Sequence, residues 1–85
     1  MKKITVYTSE SCPYCVRAKQ LLAARGLVYE EILVPWSDEA AWDAMVKRSG
    51  MKTVPQIFFD DECVGGFREL SALDAAGTLA ERLKS

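Results

Sequence analysis

The sequence predicts an α/β fold with a four-stranded mixed sheet, helices on both faces and the element order βαβαββα. Three observations carry that expectation. Two strand-like runs flank a helix-like run within residues 3–34, and so short a strand–helix–strand passage implies a right-handed crossover. The apolar run Gln56-Ile57-Phe58-Phe59 follows Pro55 and leads into an acidic turn and a further short strand. The closing stretch then repeats apolar residues at helical spacing.

Residues 3–8 are rich in β-branched and aromatic side chains and read as the first strand. Ser9-Glu10-Ser11 is a polar turn. A helix follows over residues 15–25, with Pro13 suited to its first position and with apolar Val16, Ala18, Leu21 and Leu22. Arg17, Lys19 and Gln20 take its other faces, and Gly26 ends it. Residues 27–34 form the second strand, which Pro35 breaks.

Ser37, Asp38 and Glu39 open a second helix with acids in its first turn, and Gly50 stops it. Trp42, Met45 and Val46 share one face of that helix, so Trp42 is expected to pack in the core. Trp36 falls at the turn, where surface packing and a binding role both stay open. After the strand that begins at Gln56, Asp60-Asp61-Glu62 makes a hairpin turn and Cys63-Val64 the last strand. Gly65-Gly66 then starts one final helix, with Leu70, Leu73, Ala76, Leu79, Ala80 and Leu83 on one side. Gly77 is expected to weaken it locally and to allow close packing on the sheet.

Size and charge narrow the function. Eighty-five residues make one domain, residues 1–85, with enough apolar side chains for a single core. A formal net charge of −1 gives no basic field for nucleic acid and no polybasic stretch for a membrane surface. No apolar run approaches a membrane span, and nothing resembling a signal peptide precedes the first strand. The expected compartment is the cytosol, where thiols are kept reduced.

The chemistry concentrates in Cys12-Pro13-Tyr14-Cys15. Two cysteines at this spacing, between a strand and a helix, point to thiol–disulfide exchange. Pro13 places Cys12 at the helix entrance, where unpaired N–H groups and the positive dipole end favour a thiolate. Such a site lowers a thiol pKa from about 8.5 into the range of roughly 3.5–7.5. Cys15 lies one turn deeper, so Cys12 is assigned the attack and Cys15 the resolving step. Structural zinc would need four ligands, and only Cys63 remains in a chain without histidine. A structural disulfide would close too short a loop to staple anything. Cys63 reads as a small buried hydrophobe, with a regulatory thiol as the sharper alternative.

CPYC at the helix entrance, Thr53-Val54-Pro55 before the third strand and Gly65-Gly66 before the last helix together resemble the glutaredoxin family over essentially the whole chain. The resemblance implies a thioredoxin-like fold and glutathione as reducing co-substrate, with no permanently bound cofactor and no metal. It makes Cys12 the nucleophile and Cys15 the resolving thiol. It also puts Tyr14 in a glutathione site with Lys52, Thr53, Val54, Pro55, Gly66, Phe67, Arg68 and Glu69, and has Pro55 follow a cis bond. An X–Pro bond is the kind that adopts cis at modest cost. The implied substrates are glutathionylated or disulfide-bearing proteins. Nothing in the sequence demands a dimer, so a monomer is expected.

Two positions depart from the family pattern. Ser9 stands where many members carry a lysine, leaving Lys52 and Arg68 as the cations that substitute for it. After the glycine pair, Phe67-Arg68-Glu69 replaces a small residue and an aspartate that contacts the γ-glutamyl amino group. Arg68 cannot accept from an ammonium group, so either Glu69 takes that contact or Arg68 holds a carboxylate. The alternative is that both are a solvated first helical turn. Gly66-Phe67-Arg68 also looks like NrdH-redoxins, which take electrons from thioredoxin reductase and serve ribonucleotide reductase, but which typically lack the Pro-Tyr pair. A third reading, a carrier of an iron–sulfur cluster between two subunits, is disfavoured by the stiff turn at Pro13.

Overall fold

The computed structural model describes residues 1–84. Its strands are β1 (Ile4–Thr8), β2 (Tyr29–Leu33), β3 (Gln56–Phe59) and β4 (Glu62–Gly65), and its helices are α1 (Pro13–Ala24), α2 (Glu39–Ser49), α3 (Phe67–Ala75) and α4 (Leu79–Leu83). They form one mixed sheet in the order β2-β1-β3-β4. β1 runs parallel to β2, with Ile4 opposite Tyr29, and antiparallel to β3, with Ile4 opposite Phe59.

Strand alternation divides the core between two faces. Ile4 and Val6 of β1 and Ile57 and Phe59 of β3 point to one side. They meet Ala18 and Leu22 of α1, Leu70 of α3, and Leu79 and Leu83 of α4. Complete burial of one such aliphatic or aromatic side chain contributes about 1.5–3 kcal/mol. α2 covers the opposite face through buried Met45 and through Arg48, whose guanidinium lies 4.1 Å from the Phe58 ring centroid and donates to the Tyr7 hydroxyl at 2.8 Å. Helices therefore lie on both faces, as expected.

Three expectations need correction. The closing helix is two helices, because Gly77 takes a left-handed φ of +72° and its neighbour Thr78 turns back to donate to the Leu73 carbonyl at 3.0 Å. Ala76 and Ala80 are consequently exposed. Val16 is exposed as well, since α1 begins at Pro13 and aims Cys15, Ala18 and Leu22 inward. Trp42 is half-buried outside the core and stacks on Trp36, with ring centroids 4.9 Å apart.

Two ion pairs fasten α1 to its neighbours. Arg25, at the end of α1, grips both carboxylate oxygens of Asp74 in α3 at 2.7 and 2.8 Å. Glu31 of β2 accepts from Lys19 at 2.9 Å and from Thr8 at 2.7 Å. The Arg25 guanidinium holds the Asp74 carboxyl below the usual range, and Lys19 with Thr8 does the same to Glu31. A depressed carboxyl adds stability above its unfolded pKa of about 4 and loses it as pH falls through the lowered folded value. Asp74→Asn and Glu31→Gln are therefore each expected to flatten the acid-side decline of Tm below about pH 4. Melting curves from pH 2 to 7 check this, and variant and wild-type profiles of the same shape would count against it.

Candidate active site

The loop from β1 to α1 is shaped by its own residues. Ser9 is buried and donates to the Val34 carbonyl at 2.6 Å, tying the ends of β1 and β2 together. It is a structural stitch, so it supplies nothing in place of a lysine. Ser11 takes a positive φ of 51°, turning the chain into the helix. Cys12 is then the N-cap of α1, with an extended backbone, and its Sγ accepts the Cys15 N–H at 3.2 Å. Pro13 occupies the first turn, where a missing N–H costs nothing.

Cys12 and Cys15 are joined as a disulfide, with Cα atoms 5.2 Å apart. Their environments differ: Cys12 is half-buried, whereas Cys15 is only 2% exposed. An incoming sulfur reaches Cys12 and is screened from Cys15. The N–H that already points at Cys12 Sγ would stabilise negative charge there in the reduced state.

Across from the pair, the Val54–Pro55 bond is cis, and the Val54 carbonyl lies 3.9 Å from Cys12 Sγ. A cleft of about 290 Å³ opens beside it. The structure brings Tyr14, Thr53, Val54, Pro55, Gly66, Phe67, Arg68 and Glu69 to this cleft and adds Met51. Lys52 is exposed on the same loop but does not line it. The Tyr14 and Phe67 rings lie 5.9 Å apart, and the Arg17 guanidinium sits 5.1 Å from the Tyr14 ring centroid. Glu69 Oε1 accepts the Gly66 N–H at 2.8 Å, capping α3. Arg68 is exposed and makes no hydrogen bond or ion pair among the described residues.

Met51 and Gln56 were missed from sequence. Gln56 is fully buried, and its Nε2 donates to the carbonyls of Met51 at 3.0 Å and Thr53 at 2.9 Å. It thereby clamps the arm that presents Val54. The signal was one polar residue inside an otherwise apolar strand directly after Pro55, because a buried amide needs partners.

Cys63 lies in β4 with its Sγ 3.8 Å from Met51 Sδ. Burial pushes its thiol above the usual range, only partly offset by a backbone hydrogen bond from Gly65 and the charge of Arg48. In the Cys12→Ser, Cys15→Ser double variant, Cys63 is expected to alkylate more slowly at neutral pH than a free thiol of pKa near 8.5. The rate should climb with pH past that value. Rapid labelling of the folded protein at pH 7 would revive the regulatory alternative.

A reachable sulfur at a helix entrance, paired with a screened one and set on a thioredoxin-like sheet, defines a thiol–disulfide oxidoreductase. The sequence profile described as Glutaredoxin matches residues 4–64. Glutaredoxin 3 of Escherichia coli (strain K12) is 46% identical over 84 residues, spanning 99% of this chain and 100% of that protein. The solution structure of glutaredoxin from Brucella melitensis superposes with a TM-score of 0.84 at 42% identity, covering 99% of this chain and 90% of the other. The crystal structure of a buckwheat glutaredoxin–glutathione complex gives a TM-score of 0.84 at 26% identity, over 96% of this chain and 76% of the other. The chain belongs to the glutaredoxin family.

Proposed function

We propose that the protein reduces protein disulfides and glutathione mixed disulfides as a single cytosolic domain, with glutathione as the electron donor. The observation that carries this reading is the cleft beside Cys12, where an aromatic wall of Tyr14 and Phe67 faces the Thr53-Val54-Pro55 arm. An extended tripeptide fits such a place, with backbone pairing along Val54 and apolar contact on the rings. Arg68 offers a fork for a carboxylate, while the Oε1 of Glu69 is already engaged by the helix cap.

With a glutathionylated protein, the Cys12 thiolate attacks the glutathione sulfur, the mixed disulfide breaks, and the target leaves as a thiolate that takes a proton. A second glutathione thiolate attacks the sulfur now bound to Cys12, releasing glutathione disulfide and regenerating the Cys12 thiolate. With a protein disulfide, Cys12 first bonds to the target. Cys15 then attacks Cys12 Sγ, the target's second thiol departs, and the Cys12–Cys15 disulfide remains for two glutathiones to reduce.

The Gly66-Phe67-Arg68 segment favours one competing reading, a redoxin recharged by thioredoxin reductase. Parallel assays separate the two. Reduction of a small glutathione mixed disulfide is followed with glutathione and glutathione reductase, and again with thioredoxin reductase alone. Turnover with glutathione supports the proposal. Turnover confined to thioredoxin reductase overturns it.

A further inference from the structure

The two tryptophans of the chain lie together on the surface, outside the cleft and outside the core. Trp36 is 55% exposed, which is unusual for the largest apolar side chain at a turn. It is tied to Glu10 at two points: the indole Nε1 donates to the Glu10 carbonyl at 2.7 Å, and the Trp36 backbone N–H donates to Glu10 Oε1 at 3.3 Å. An exposed indole that is fixed and stacked has already lost its rotamer freedom, so a partner orders nothing further by covering it. Rigid surface aromatics of this kind anchor protein contacts.

The remaining lining of this depression, about 580 Å³, comes from Glu39 and Asp43. These two side chains are spaced four apart on α2, flank Trp42, and make no hydrogen bond or ion pair among the described residues. Among the described residues, no lysine or arginine lines it. Indole faces and uncommitted carboxylates together suit a guanidinium or ammonium group, which stacks on the ring while pairing with an oxygen. The same sign of charge disfavours nucleic acid and anionic lipid.

Position links this face to the chemistry. Glu10, which pins Trp36, precedes Cys12 by two residues, so their Cα atoms lie within about 7 Å of each other. We propose that the Trp36–Trp42 face docks an arginine- or lysine-bearing segment of the disulfide substrate protein and so selects targets whose reactive disulfide lies next to basic residues. This goes beyond the choice of electron donor and holds for either one.

The test is a single-turnover reaction that needs no glutathione. Peptides with one cysteine in a mixed disulfide with thionitrobenzoate are offered to the reduced protein, and thionitrobenzoate release is timed. The cysteine is flanked by arginine, serine or glutamate. The arginine peptide is expected to react about tenfold faster than the glutamate peptide at low salt. That ratio should fall to about twofold or less at 1 M salt, where screening acts within roughly 3 Å. Trp36→Ala, and separately Glu39→Gln with Asp43→Asn, should remove most of the preference and leave the serine-peptide rate unchanged. Binding is read directly from tryptophan fluorescence, using arginine peptides in which serine replaces the cysteine. Equal rates for all three peptides overturn the proposal. So does a preference that survives both variants, or a fluorescence response to anionic vesicles or oligonucleotide but not to the arginine peptide.

Discussion

Cys12→Ser is expected to abolish reduction of both protein disulfides and glutathione mixed disulfides, by at least about a thousandfold, because no other sulfur can take over the attack. Cys15 is almost wholly screened, and Cys63 is half-buried in β4 with its thiol held above the usual pKa range. Cys15→Ser is expected to behave differently. Release of glutathione from a small mixed disulfide needs only Cys12 and a second glutathione, so it should continue within a few-fold of wild type. Reduction of a protein disulfide should fall at least about tenfold, since attack by a tethered neighbour gives way to a bimolecular one. The present structure places the Cα atoms of the pair 5.2 Å apart within one helical turn, the proximity on which the intramolecular step depends. Steady-state assays of both substrates on both variants decide the matter. Equal loss of the two activities in Cys15→Ser would sink the division of labour.

The parts of this site that were legible in sequence are those written in local chemistry. Cys-Pro-Tyr-Cys after a β-branched run places a sulfur at a helix start because proline tolerates only the first turn of a helix interior. β3 begins at Gln56 and ends at Phe59, as expected, because Pro55 and an acidic turn bound it on either side. What was not legible depends on partners distant in sequence. Ser9 is a stitch only because Val34 lies beside it in the parallel pair, and Gln56 clamps the Met51 and Thr53 carbonyls only once the chain has turned at Pro55. Periodicity put Trp42 on a buried face because an indole on an apolar stripe usually packs inward, and nothing local announced that Trp36 would meet it. Gly77 marked a weak point, but whether a glycine bends a helix or ends it is set by the packing of Leu79 and Leu83 onto the core. Lys52 illustrates the same limit. It sits next to Thr53 in sequence, yet it is exposed and does not line the cleft that Thr53 lines.

Gly65→Ala is expected to remove about 2–4 kcal/mol of stability, a fall in Tm of roughly 10–20 °C for a domain of this size. Gly65 closes β4 at a φ of +128°, a region that side-chain-bearing residues rarely enter. An added Cβ would also lie 2.7 Å from Glu69 Cγ. That side chain has little room to yield while it caps the Gly66 N–H at 2.8 Å, so the new methyl strains the backbone and dislodges the cap together. Both effects bear on the cleft, whose far wall is Gly66, Phe67 and Arg68 at the start of α3. Gly66→Ala makes the discriminating comparison. Its φ of −97° is ordinary, and its Cβ would meet the Pro55 carbonyl at 3.4 Å, so a cost below about 1 kcal/mol is expected. The Gly65→Ala, Glu69→Ala pair should be less damaged than the sum of its single changes, because the clash and the cap share one side chain. Part of the loss should persist, because removing Glu69 does nothing for the backbone. A Gly65→Ala protein melting within about 2 °C of wild type would show that β4 can turn into α3 without a left-handed residue. Strict additivity in the double variant would show that Glu69 does not hold that turn.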